Sequence, residues 1–182
     1  MEIEVKVRLE DLEEMKRKLA GRGAVFEEPV VQEDRYFKPK GFEKKVQVPG
    51  DFIVRIRKAW GKVILTSKIL TEVRGAWIEN ETDITDPEEM EKILLLTGLV
   101  NAFNINKIRH IGKLGEFEIC IDDVKELGKF MEVCLIADEH EQTRERIISF
   151  LKELGFSDKD IDTRGYGEII GEKLGHKFGG MR

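Results

Sequence analysis

Cysteine is nearly absent from this 182-residue sequence. The two that occur, Cys120 and Cys134, offer neither a disulfide framework nor a paired metal motif, so both are expected as reduced thiols. Proline is scarce as well, four in all, and no Pro/Ser/Gly-rich stretch breaks the chain. One domain is therefore expected over residues 1–175, with a C-terminal tail at 176–182. No run of residues is apolar enough to span a bilayer, and "MEIEVKVR" lacks the basic-then-apolar layout of a secretory signal, which excludes a membrane role and predicts a cytoplasmic protein. An excess of basic residues is missing too. The net charge is −5, against the balance of a dedicated nucleic-acid binder. Histidine is limited to His110, His140 and His176, scattered along the chain, and no nucleophilic Ser/His/Asp set is evident. All three read as surface or structural residues.

What the sequence does have is charge, 37% of its residues, laid down with a period of two. In "EIEVKVRL", Glu2, Glu4, Lys6 and Arg8 alternate with Ile3, Val5, Val7 and Leu9, which gives a strand one charged and one aliphatic face. The same pattern recurs. Arg55 and Arg57 oppose Phe52, Val54 and Ile56; Lys68 closes "KVILTSKIL"; Glu79 and Glu81 alternate with Ile78. Lys107 and Arg109 align against Ile108, Glu118 and Asp122 against Ile119 and Ile121, and Glu132 against Met131 and Val133. A half-solvated antiparallel sheet explains any one of these strands. It does not explain all of them together.

Helical segments lie between the strands. "EDLEEMKRKLAGRG" puts Leu12, Met15 and Leu19 on one face and stops at Gly21 and Gly23. "TDPEEMEKILLLTG" starts with Asp86 as N-cap and Pro87 at the first helical position. "HEQTRERIISFLKELG" and "TRGYGEIIGEKLG" complete the set, with a capped turn at Ser157 and Asp160. Residues 38–51 read as a mobile hairpin loop. With helices covering the aliphatic faces, the charged faces of a curled sheet turn toward each other. Seven bases (Lys6, Arg8, Arg55, Arg57, Lys68, Lys107, Arg109) and seven acids (Glu2, Glu4, Glu79, Glu81, Glu118, Asp122, Glu132) then share a water-filled interior, because a dry one costs several kcal/mol per ion.

Clustered bases beside clustered carboxylates suit a polyanion that carries metal. Arginines and lysines take phosphate oxygens, while carboxylates hold Mg²⁺ or Mn²⁺. Phosphoryl transfer asks mainly for positioning and charge stabilisation, so the lack of a side-chain nucleophile is no obstacle. Trp77, Tyr36 and Phe103 are candidate ring contacts, although aromatic residues at strand spacing are more often packing.

"EIEVK" resembles the N-terminal Glu-x-Glu-x-Lys signature of the CYTH superfamily, the triphosphate tunnel metalloenzymes that include class IV adenylyl cyclases and thiamine triphosphatases. "DRYF", "VRIRK", "LTSK", "IENE", "NKIRH", "CIDDVKELGKFMEV" and "GYGEII" follow in the family's order and extend the resemblance over residues 2–170. It implies an α+β fold, an antiparallel eight-stranded β-barrel with helices packed outside. It also implies metal ligands Glu2, Glu4, Asp122 and Glu132, and triphosphate contacts Lys6, Arg55, Arg57, Lys68, Lys107 and Arg109, with Glu4, Lys6, Arg57 and Lys68 as the catalytic set. Glu79, Glu81 and Glu118 are implied as support.

One departure stands out. Cys134 occupies the second acidic place of the family's Glu-x-Glu, and a thiol is a poorer ligand for Mg²⁺. The resemblance implies a metal-dependent enzyme, monomer or homodimer, that either cyclises ATP or hydrolyses thiamine triphosphate or inorganic triphosphate. A non-catalytic polyphosphate or nucleotide sensor is the alternative, and a purely structural barrel leaves fourteen facing charges unexplained.

Overall fold

The computed structural model describes residues 2–45, 47–72, 77–136 and 140–174, and for Glu2 and His140 the backbone alone. The expected C-terminal tail, with His176, lies outside the described residues. In chain order the elements are β1 (Glu2–Leu9), α1 (Leu12–Ala20), β2 (Val25–Phe26), β3 (Val30–Pro39), β4 (Phe52–Ala59), β5 (Lys62–Leu70) and β6 (Trp77–Asp83). They continue with α2 (Pro87–Leu96), β7 (Leu99–Leu114), β8 (Phe117–Val124), β9 (Gly128–Ile136), α3 (His140–Glu153), β10 (Ile161–Asp162) and α4 (Tyr166–Lys173). Setting aside the two-residue strands β2 and β10, eight strands remain, the number expected. Every pairing with a described register is antiparallel.

The described residues divide into two compact units. The first is built from Met1–Val30 and Lys107–Arg164. Its ladder runs β10–β1–β9–β8 and on to the second half of β7, with β2 paired to β7. The aliphatic faces read from the sequence form its core: Ile3, Val5, Val7, Ile119, Ile121, Met131 and Val133 pack with Leu19 of α1 and Ile147, Leu151 and Leu154 from α3 and its end. Asp11 caps α1 by accepting the Glu13 and Glu14 N–H groups at 2.8 and 3.0 Å.

Gly112 of β7 lies under Phe26, where an added Cβ would stand 2.6 Å from Cδ1 of that ring. Gly112→Ala is expected to cost about 1–3 kcal/mol through overpacking, read as a lower denaturant midpoint at unchanged slope. An unchanged midpoint would show that Phe26 can simply swing away.

The second unit contains, among the described residues, Val31–Glu72, Trp77–Asn106 and 165–174. Its ladder is the first half of β7, then β3–β4–β5–β6. Phe37 and Ile56 are fully buried against Leu94 of α2, whose N-cap Asp86 accepts the Glu89 N–H at 2.9 Å, as its sequence predicts. Lys38 and Pro39, read as loop, instead extend β3. Among the described residues no helix is long and apolar enough to cross a membrane.

Candidate functional site

In the first unit the charged face is a set of cross-strand rows fixed by register. β1 pairs with β9 and β9 with β8, so Glu4, Cys134 and Glu118 stand side by side, and Lys6, Glu132 and Cys120 form the next row. Arg8, Phe130, Asp122 and Arg109 make the third. Residues directly opposite have Cβ atoms about 5 Å apart, close enough for their charges to meet.

They do meet. Lys6 Nζ donates to Glu4 Oε1 and lies 2.8 Å from both Glu4 and Glu132 carboxylate oxygens. Arg109 forks onto Asp122 at 2.7 and 2.6 Å and also donates to Glu132, while Lys107 reaches Asp122 at 3.2 Å. Lys6 is 1% exposed, Asp122 0% and Glu132 3%. The expected water-filled setting is thus replaced here by a buried ion lattice in which three cations (Lys6, Lys107, Arg109) face three carboxylates (Glu4, Asp122, Glu132).

Such a lattice holds its members in the charged state. Burial alone would neutralise Lys6, but Glu132 and Glu4 outweigh it and raise the ammonium pKa. Burial would likewise raise the Glu132 pKa, yet Arg109, Lys6 and Lys107 hold it well below the usual carboxylate range. Cys120 is different: burial pushes its thiol up to about 12, so it stays protonated and inert. Arg8, counted with the bases, is exposed; it donates to the Leu127 carbonyl at 3.0 Å and lies over the Phe130 ring.

The second unit carries its own charged face. Arg57 is forked by Asp34 at 2.7 and 2.7 Å, and Asp34 is 1% exposed. Arg55 donates to Thr66 Oγ1 and Glu81 Oε1 at 2.9 Å each, and the Thr66 hydroxyl donates to the same Glu81 oxygen. Lys68 pairs with Glu79 at 2.8 Å above the Trp77 ring. Glu79 and Glu81 therefore each hold a base, Lys68 and Arg55. Tyr36 and Phe103 stack on each other at 4.8 Å, the packing role.

Asp34 and Thr66 were missed by the sequence reading. Thr66 had a signal, since it stands two residues before Lys68 on the same face of β5; Asp34 had none, because both faces of β3 carry charge, Glu33 and Arg35 against Asp34 and Lys38. His110 sits opposite Ile121 on the other face of the ladder, and burial together with Lys16 lowers its pKa, consistent with a structural role.

Among the described residues no three His, Cys, Asp or Glu side chains converge as a ready metal cage, and the Glu2 side chain lies outside them. The donor set still has the right chemistry. Glu4 and Glu132 already close on one positive centre, the Lys6 ammonium, with oxygen ligands of the kind that Mg²⁺ and Mn²⁺ accept. Cys134 stands between Glu4 and Glu118 and breaks an otherwise all-oxygen row.

The CYTH domain family model matches residues 1–166. A Methanocaldococcus jannaschii protein named "Putative adenylate cyclase" is 32% identical over 176 residues, covering 94% of this chain and 99% of its own. Among solved structures, the PH1012 protein of Pyrococcus horikoshii superimposes with a TM-score of 0.79 at 30% identity, over 92% of this chain and 98% of that one. A Hippeastrum protein, described as a "putative adenylyl cyclase" that reveals a dominant triphosphatase activity, has the same fold with a TM-score of 0.66 at 16% identity, over 97% and 96% of the two chains.

Proposed function

Because this chain belongs to the CYTH domain family, we propose that it is a divalent-metal-dependent enzyme that transfers or releases phosphate from a triphosphate. The observation that carries this reading is a set of buried and half-buried cations, each fixed by a carboxylate: Lys6, Lys107 and Arg109 in one unit and Arg55, Arg57 and Lys68 in the other. Each set is proposed to take phosphate oxygens, and each is held in place within its own unit before any ligand arrives, which is what electrostatic catalysis requires.

Binding exchanges partners. A triphosphate accepted by Lys6, Lys107 and Arg109 frees Glu4, Glu132 and Asp122 from the pairs they now make. With Mg²⁺ or Mn²⁺ bound, those carboxylates and Glu2 would hold the ion, which supplies charge neutralisation at the phosphates. Asp34 and Glu81 have a different task, since they aim the guanidinium groups of Arg57 and Arg55.

Two reactions use the same contacts. In a cyclase the ribose 3′-hydroxyl attacks the α-phosphorus and pyrophosphate leaves; in a hydrolase water attacks the terminal phosphorus. The name of the archaeal relative supports the first, and the description of the Hippeastrum protein, similar in fold, speaks of the second.

The test uses untagged protein with ATP, thiamine triphosphate or inorganic triphosphate, each with Mg²⁺ or Mn²⁺, and chromatographic separation of products. Metal-dependent turnover is expected, and Arg55→Met is expected to lower kcat/KM by about 10²–10³-fold, the effect of removing one preorganised donor. Cyclic AMP with pyrophosphate assigns the cyclase; orthophosphate with a diphosphate assigns the hydrolase. Tight metal-free binding without product would overturn both and leave a sensor.

A further inference from the structure

Arg164 is a cation of the first unit that neither the phosphate contacts nor the metal ligands proposed above include. Its place follows from β10. Register sets Asp162 directly opposite Lys6 and Ile161 opposite Val7, and Ile161 packs on the aliphatic core, so the Asp162 side chain shares the charged face with Lys6. The Lys6 row is thereby one member longer: Asp162, Lys6, Glu132 and Cys120 stand side by side on β10, β1, β9 and β8.

Asp162 grips Arg164. Its Oδ1 accepts the Arg164 Nε–H and backbone N–H at 2.9 Å each, and its Oδ2 accepts the Nη2–H at 2.6 Å. This is the side-on fork, Nε and Nη2 on one carboxylate, by which Asp34 holds Arg57 and Asp122 holds Arg109. Burial would raise the Asp162 pKa, yet Arg164 and, less strongly, Lys6 hold it below its usual range, so the carboxylate stays charged between two cations. The pair is open to a ligand: the Arg164 side chain is 33% exposed, and Arg8, Asp162 and Arg164 all line a groove of about 850 Å³. An ion pair this exposed adds little to the fold, so a chain without the guanidinium remains a fair test of binding.

The cations of this unit therefore lie in a line across the ladder, each parted from the next by a carboxylate: Arg109, Glu132, Lys6, Asp162, Arg164. Neighbouring strands are about 4.8 Å apart, so the line is drawn out in one direction, as charge is on a linear polyphosphate. We propose that Arg164, held by Asp162, takes the outermost phosphate of a triphosphate whose other two are held by Lys6 and by Lys107 with Arg109, and so sets a preference for three phosphates over two. The inference rests on the triphosphate reading above. It adds a residue to that site and a reason for chain-length selectivity.

The experiment compares inorganic triphosphate with pyrophosphate on the full chain, by calorimetry without divalent ion so that nothing is turned over; where binding needs Mg²⁺ or Mn²⁺, KM or the inhibition constant takes the place of Kd. Arg164→Met is expected to weaken triphosphate about tenfold or more, the worth of a hydrogen bond to a charged group, and to leave pyrophosphate within about twofold. Arg164→Lys recovers only part of the loss, because an ammonium is a point charge that a carboxylate cannot fork. Arg146→Met, which removes an exposed arginine paired with Glu116 elsewhere in the same unit, changes neither ligand. Thermal unfolding of the variants is expected to match the parent.

Equal loss for the two ligands overturns the proposal, and so does an equal loss in Arg146→Met, since positive charge anywhere on the unit would then suffice. A lower thermal midpoint in Arg164→Met with unchanged binding also overturns it and leaves the pair as a tie that secures β10. When the parent binds triphosphate and Arg164→Met binds it as well, this inference alone falls. When the parent neither binds nor turns over any triphosphate, the enzyme reading falls and takes this inference with it.

Discussion

Replacing Arg109 with methionine is expected to cost the fold about 3–5 kcal/mol near neutral pH, the loss seen when one partner of a buried ion pair is removed. Arg109 is forked by Asp122 and bonded to Glu132, two carboxylates that are 0% and 3% exposed. Without the guanidinium, Lys6 still pairs with Glu132 and Lys107 with Asp122. The cost depends on pH with a definite sign. In the parent, the Glu132 carboxyl is held well below its usual range, so its stabilisation is complete above the unfolded value of about 4.3 and is lost as pH falls toward the folded one. In the variant Lys6 and Lys107 still lower the Glu132 carboxyl but Arg109 no longer does, so it is held less far below its usual range and protonates before the parent's does. The gap between the two proteins should therefore narrow as pH drops from 7 to 3. Denaturant unfolding at both pH values measures it, and a gap under 1 kcal/mol, or one indifferent to pH, would show that water reaches these carboxylates.

The faces were legible in the sequence and the partners were not, for a physical reason. Side-chain direction along a strand is a local property of the backbone, so alternation alone placed Lys6, Arg55, Lys107, Asp122 and Glu132 away from the aliphatic core. Helix starts are local as well, and Asp86 with Pro87 begins α2 as its sequence predicts. Pairing is set by register across strands distant in sequence. Nothing near residue 109 announces that its fork closes on Asp122 and reaches Glu132, and nothing near residue 57 points to Asp34. Alternation does not single out Asp34 either, because charge falls on both faces of β3, Glu33 and Arg35 on one and Asp34 and Lys38 on the other. Lys38 and Pro39 escaped for a different reason: Pro and Gly nearby suggested a loop, whereas a terminal strand position tolerates proline and β3 runs on through Pro39.

Replacing Lys6 with methionine is expected to separate the metal question from the activity question. Methionine keeps most of the length of the side chain but withdraws the ammonium that Glu4 and Glu132 share at 2.8 Å each. Raising the pH cannot do the same: the ammonium pKa is raised in the folded state, so its contribution is lost only above the ordinary lysine range. With no divalent ion added, the variant should lose about 3–5 kcal/mol, because the buried Glu132 keeps only Arg109 of the two cations on it and the half-buried Glu4 loses the ammonium it pairs with. Those same oxygens then become the natural seat for another cation. Added Mg²⁺ or Mn²⁺ at a hundred times its Kd should return about 2.7 kcal/mol, a gain set by mass action alone. The parent, with Lys6 in place and no triphosphate present to draw it away, should gain much less. Lys6→Met combined with Glu4→Gln should gain nothing, since one of the two carboxylates is gone. Thermal unfolding with and without metal reads all three proteins. If the single variant shows no metal-dependent gain, Glu4 and Glu132 do not close on a divalent ion, and the metal part of the enzyme reading fails even if phosphate is still released.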